Sequence, residues 1–194
     1  VVIADHTSAS TMRRVIEEAA RDCVLARQHW GLEAYAGVEL THVPAAAIPE
    51  LARAAKLAGA ALVVVHGESP VEPVEPGTNL AAASCRDVDV LAHPGVITQE
   101  VAEAAREHGV FLEVTARQGH ALANGRVVQL ALATGAAMVV NSDSHRPEDI
   151  LTACWAEHVA RCAGVPEAML EQVLLDHPQT LMARAKANVT KAGL

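Results

Sequence analysis

Short apolar runs alternate along the chain with longer segments whose apolar residues recur at helical spacing. The runs Val1–Ala4, Ala34–Val38, Ala60–Val65, Val88–Ala92, Val110–Val114 and Ala136–Val140 predict six strands. Between them the periodicity predicts helices. Thr11–His29 carries Met12, Val15, Ile16, Ala19 and Cys23 on one face, with Ser8 or Ser10 as its cap. Pro49 opens a helix through Leu57 that Gly59 closes. A short helix spans Asn79–Ser84, Thr98 caps one running to Glu107 before Gly109, and one from Asn124 is closed by Gly135. After Pro147 come helices at 147–163, 166–175 and 178–187, and the final residues are expected to fray. Residues 70–79, with Pro70, Pro73, Pro76 and Gly77, read as a rigid loop rather than a domain linker.

Strands that are apolar on both faces and separated by helices predict a parallel sheet in an α/β fold, either a closed barrel or a doubly wound sheet. The unit repeats at roughly 25 residues, a barrel's rhythm. The first predicted strand is followed by no glycine-rich phosphate fingerprint, which argues against a dinucleotide site. The chain reads as one domain over 1–194, with βα units over 1–146 and a helical segment over 147–194. It opens directly in an apolar strand, as if an earlier strand were absent. Such a gap would leave a sheet seam able to pair with another chain.

The chemistry gathers where the apolar runs stop. Val139-Val140 runs into Asn141-Ser142-Asp143-Ser144-His145, and other runs end at His6, Glu39, His66 and His93. In parallel α/β folds, function sits at the carboxyl ends of strands. So many imidazoles and carboxylates on one rim would repel or desolvate each other unless cations balanced them. His6, Glu39, His66, His93, Asp143 and His145 are therefore candidate ligands for at least two divalent ions sharing a carboxylate. Arg117 and His120, after the fifth run, are candidates to hold a phosphate. His42 lies at the same rim, and Glu68 is a candidate to orient His66. His29, His108, His158 and His177 read as surface or capping residues, and Trp30 and Trp155 as packed on helix faces.

Composition narrows the setting. Half of the 194 residues are hydrophobic but only 2% are aromatic, so the core must be built from Ala, Val, Leu and Ile. A net charge of −8 argues against nucleic-acid binding. Cys23, Cys85, Cys154 and Cys162 show no C-x-x-C spacing and read as free buried thiols in a reducing cytoplasm. No apolar run is long enough to span a bilayer, and no signal peptide is recognisable.

Asp5-His6, Gly37-Val38-Glu39, Val65-His66, Ala92-His93-Pro94-Gly95 and Ser142-Asp143-Ser144-His145 together resemble, in order, the motifs of the PHP (polymerase and histidinol phosphatase) superfamily. The resemblance implies a distorted (β/α)7 TIM-like barrel whose first strand, with its His-x-His motif, is missing from this chain. It implies two or three Zn, Mn or Fe ions. Glu39 would bridge two of them, His66 and His93 would complete one, Asp143 would hold the other, and His6 and His145 a third. It further implies an enzyme that hydrolyses a small, histidinol-phosphate-like phosphomonoester through a metal-bridged hydroxide, with Arg117 and His120 on the phosphate. The alternatives are a non-catalytic, metal-stabilised accessory domain of that superfamily, or a metal-dependent hydrolase of another bond. A small phosphorylated substrate and self-association are the expected partners.

Overall fold

The structure, a computed structural model, describes residues 1–192. Six strands form one parallel sheet in chain order: β1 Val2–Thr7, β2 Tyr35–Leu40, β3 Val63–His66, β4 Val90–Ala92, β5 Phe111–Thr115 and β6 Met138–Asn141. The crossovers carry helices α1 Met12–Trp30, α2 Ile48–Leu57, α3 Thr78–Ala83, α4 Gln99–His108 and α5 Asn124–Thr134. Helices α6 Ala153–Ala163 and α7 His177–Ala192 follow the sheet. Each new strand joins on the same side of the last. Crossovers of one hand then place their helices on one face of the sheet.

The sheet buries its two faces differently. On the convex face Val38, Val63, Val65, Leu91, Leu112 and Met138 pack with Ile16, Ile48, Ala52, Val101, Val127 and Ala160 from the surrounding helices. On the concave face Tyr35, Leu62, Val90, Phe111 and Val139 pack against Leu181 and Ala185 of α7. These concave residues occupy the amino-terminal half of the strands. Two residues further along, the same face carries Gly37 and Glu39, Val64 and His66, Ala92, Glu113 and Asn141, as the two-residue period of a strand requires.

The closed seven-stranded barrel is not observed. Among the described residues β1 pairs only with β2 and β6 only with β5, and there is no seventh strand. The sheet is open but curled: the rings of His6, near the end of β1, and His145, in the loop after β6, lie 5.5 Å apart. Where a barrel fills its interior with strand side chains alone, here α7 fills the amino half.

The strands also run further than the apolar runs suggested. Asp5 and His6 lie within β1, Glu39 within β2, and Thr115 and Asn141 close β5 and β6. Polar residues do not end these strands: the ladder continues beneath them, with His6, Glu39, Thr115 and Asn141 on the concave side and Asp5 on the opposite face beside α1.

The helical tail differs as well. Pro147–Asp149 is one 3-10 turn, held by Asp149, which accepts the backbone N–H groups of His145 and Arg146; α6 starts only at Ala153. A 3-10 turn at Glu167–Met169 and a π-helical turn at Gln172–Asp176 lead into α7, so the expected break before 178 is absent. His177, expected at the surface, donates to the Met138 carbonyl and packs edge-on against Phe111. Any fraying of Gly193 and Leu194 falls outside the described residues.

Several smaller expectations are corrected too. Thr11, not Ser8 or Ser10, is the N-cap of α1, and its hydroxyl accepts the Ser8 N–H rather than capping an N–H of the helix. Cys154 and Cys162 are exposed, while Cys23 and Cys85 are buried. Trp30 and Trp155 are 78% and 54% exposed rather than packed. Thr98 does cap α4, accepting the Val101 N–H, and Gly109 closes it in the left-handed conformation.

Candidate metal centre at the carboxyl rim

The concave side chains at the upper ends of neighbouring strands converge. His66 Nδ1 lies 3.1 Å from Glu39 Oε1 and 3.0 Å from His93 Nε2. His93 Nδ1 is 2.8 Å from Glu113 Oε2, which also accepts the His93 backbone N–H at 3.0 Å. Asn141 Nδ2 donates to the other Glu113 oxygen at 3.0 Å. From the loop after β5, His120 reaches the same point, its Nδ1 2.6 Å from Ser69 Oγ. Ligand atoms of His66, His93 and His120, all buried, lie within 4.8 Å of one another.

The backbone is shaped to make this possible. His42, His93 and Asp143 adopt positive φ values of 53°, 35° and 49°. Each such residue costs about 1–3 kcal/mol, and such strain concentrates at functional sites. All three sit at or just past strand ends. Gly67 serves the same convergence, because a Cβ there would meet the Ala92 carbonyl at 2.5 Å and Pro94 Cα at 2.9 Å. Any side chain at 67 would push the end of β3 away from the end of β4, and His66 away from His93.

Burial and charge set opposite protonation tendencies inside the cluster. Burial disfavours a charged His93, but the hydrogen bond and charge of Glu113, with Glu39 and Asp143 behind it, outweigh that and hold its pKa above the ordinary value. Glu113 is held below the usual carboxylate range: burial opposes this, and the His93 bonds overcome it. Burial, then repulsion from His93 and His66, pushes His120 down to about 4. Burial and the charge of Glu113 push Asp143 up.

This donor set fits a divalent transition metal. Three imidazoles with a carboxylate nearby are ordinary ligands for zinc. His120 is neutral near pH 7, so a ring lone pair is available. His66 Nε2 is buried with no hydrogen-bond partner, a costly vacancy that a bound cation would fill. Glu113 behind His93 and Ser69 behind His120 occupy the positions of groups that orient metal-binding imidazoles.

The remaining sequence candidates form an outer ring. His6 Nε2 is 3.9 Å from Glu39 Oε1. Asp143 Oδ2 is 3.9 Å from His93 Nδ1, and its Oδ1 3.5 Å from His145 Nδ1. Arg117 is engaged by carboxylates, with Nε 3.8 Å from Asp143 and Nη1 3.3 Å from Asp149. His42 pairs with Glu72 at 3.2 Å, and Glu72 approaches His120 Nε2 at 3.9 Å. Glu68 does not orient His66; it accepts the backbone N–H groups of Gly77 and Asn79 at the start of α3. Sequence reasoning missed Glu113, Ser69 and Glu72. A glutamate in the middle of the apolar run Val110–Val114 was the one available signal for Glu113.

No family model matches the chain. It is 41% identical over 185 residues to the uncharacterized protein MJ1295 of Methanocaldococcus jannaschii, spanning 95% of this chain and 85% of that protein. Its fold is similar to one chain of an archaeal ribonuclease P solved by cryo-electron microscopy with mature tRNA. The TM-score is 0.70 at 14% identity, over 96% of this chain and 92% of that one.

These findings overturn the resemblance and what hung on it. A chain matched by no family model, with an end-to-end likeness in a ribonuclease P particle, is not identified as a polymerase-and-histidinol-phosphatase protein. The small-molecule phosphoesterase, its histidinol-phosphate-like substrate and the alternatives within that superfamily or among other hydrolases are withdrawn with it. So is the exclusion of nucleic-acid partners. The motifs misled for a physical reason: any parallel α/β sheet presents polar residues at its strand ends, and that geometry does not specify chemistry at phosphorus.

Proposed function

The chain belongs to the family of the uncharacterized protein MJ1295 of Methanocaldococcus jannaschii, and we propose that it is a non-catalytic protein subunit of an RNA-processing assembly. The observation that carries this reading is the likeness of nearly the whole fold to one chain of a ribonuclease P bound to mature tRNA. A net charge of −8 directs the contacts of this subunit toward basic proteins of the assembly rather than along an RNA backbone. Among the described residues no helix is long and apolar enough to cross a membrane. The free cysteines suit a reducing cytoplasm.

In this role the rim cluster braces structure. His66, His93 and His120 hold one divalent ion, zinc being the best match, and so tie the ends of β3 and β4 to the loop after β5. Glu39 stands beside His66 as a further ligand, and His6, Asp143 and His145 form the polar surround. The ion supplies positive charge to a crowded acidic rim and a partner for His66 Nε2.

Gradient sedimentation of the tagged chain from a gentle cell lysate tests the assignment. The chain should travel in a large particle and shift to lighter fractions after ribonuclease treatment. Sedimentation as a free 20.3 kDa protein, with or without ribonuclease, would refute it.

A further inference from the structure

The loop after β3 crosses the rim as a strap. Residues 70–77 hold Pro70, Pro73 and Pro76, whose fixed φ leaves the chain few alternatives. The strap is pinned along its length. Gly95 lets it pass, since a Cβ there would collide with Pro70. Val71 lies against Gly119, the residue before His120. Glu75 accepts the Ala45 N–H at 2.6 Å, tying the strap to the loop after β2, and Glu68 accepts the Gly77 N–H where the strap ends.

These anchors place the Glu72 carboxylate against the histidine cluster. His42, held at a φ of 53° just past β2, has its Nε2 3.2 Å from Glu72 Oε1. Glu72 Oε2 is 3.9 Å from His120 Nε2. Ser69 occupies His120 Nδ1, so Nε2 is the nitrogen left for an ion, and Glu72 approaches that one. The His42 and His120 rings flank His66, with centroids 6.0 and 5.7 Å from its own, and Glu72 spans the two. Donors about 2.0–2.2 Å from one tetrahedral zinc stand roughly 3.3–3.6 Å apart, so a small side-chain rotation brings Oε2 into the set. His66, His93 and His120 are buried, whereas the Glu72 side chain is 40% exposed and stands on the solvent side of the cluster.

We propose that Glu72 is a direct ligand of the rim ion, and that the ion fastens the proline-rich strap over His66, His93 and His120. The inference rests on the ion proposed above and adds to it a ligand from outside the strand ends. Oε2 takes a coordination position facing solvent, while His42 holds Oε1 as neighbouring groups hold other metal-binding carboxylates. The strap then joins the loops after β2, β3 and β5 through one ion.

The test uses the isolated protein without RNA. Zinc affinity is measured by competition with a chelating dye, and cobalt(II) replaces zinc as a spectroscopic probe of the ligand set. Glu72→Gln should weaken zinc binding at least about tenfold and alter the visible cobalt bands. Glu75→Gln, on the same strap but not a ligand, should keep those bands. Both variants should keep the wild-type circular dichroism spectrum and metal-free melting. Zinc should slow hydrogen exchange at the Val71, Glu72, Val74 and Glu75 amides in the wild type but not in Glu72→Gln. Zinc affinity and cobalt bands left unchanged by Glu72→Gln would overturn the proposal. So would the same change of bands in Glu75→Gln, which would make the fit of the strap responsible rather than the carboxylate. A wild-type protein that binds neither zinc nor cobalt would overturn the ion itself and the proposal with it, a result distinct from the other two.

Discussion

The two halves of the concave face share the same strands and the same alternation, yet they are finished in opposite ways. In the amino half Leu62, Val90, Phe111 and Val139 are sealed by α7. In the carboxyl half Glu39, His66, His93 and Glu113 stay polar and buried, His93 with a strained positive φ, and His66 Nε2 is left without a partner. The lower half gains stability from burying apolar area. The upper half gives some of it up to hold donors in place. An apolar seal and a candidate metal site thus lie on one face of one sheet, separated by two residues of strand.

The largest expected effect falls in the lower half. Phe111→Ala should cost about 3–5 kcal/mol in urea unfolding. The loss should be the same with and without zinc. If zinc rescued it, the two halves would not be independent.

Zinc itself should come next. At a hundredfold excess over its Kd it should add about 2.7 kcal/mol to the metal-stripped protein, read as a rise in Tm. It should add nothing to His66→Ala. Without metal that variant should still lose about 1–3 kcal/mol, because it also removes the Nδ1 partner of the buried Glu39 carboxylate and of His93. Glu113→Gln should weaken zinc binding by roughly 10–100-fold without abolishing it, as measured by competition with a chelating dye.

The smallest expected effect is the response of the metal-free protein to acid. The folded pKa of His120 is pushed down to about 4, while in the unfolded chain it sits near about 6.5. Between those values the unfolded chain binds a proton that the folded one refuses, so stability falls as pH drops through that window. His93 opposes this. Its raised pKa contributes stability in acid that is lost as pH rises. Glu113, held low, adds to the loss on acidification, and Asp143, held high, opposes it with His93. The metal-free protein should lose stability as pH falls, and His120→Asn should flatten or reverse the slope. A steeper acid loss in that variant would show that His120 does not carry the effect.

Much of this division was legible in the chain. The alternation of apolar runs and helical periods located six strands and five crossover helices, and the residues closing the runs included His66 and His93. Closure was not legible, because whether β1 meets β6 is decided by register and by what fills the interior. Here the filler is α7, whose Leu181 and Ala185 read simply as the apolar stripe of a tail helix. His120 stood out as a rim residue but not as the third imidazole, since its place depends on the turn after Gly119 and the bond to Ser69. Glu113 was hidden because one acid in an apolar strand looks like a break in a pattern until its neighbour is known to be His93. The motif order suggested phosphate chemistry only because strand ends look alike in many α/β proteins.

The proposed assembly is tested most directly by whether RNA accompanies this chain. Formaldehyde cross-linking in cells, which joins protein to protein as well as protein to RNA, followed by capture of the tagged chain and sequencing, should return RNA well above an untagged control. The cross-links should be carried by partner proteins captured with the chain. RNA at background level in a capture that recovers the chain intact would contradict it.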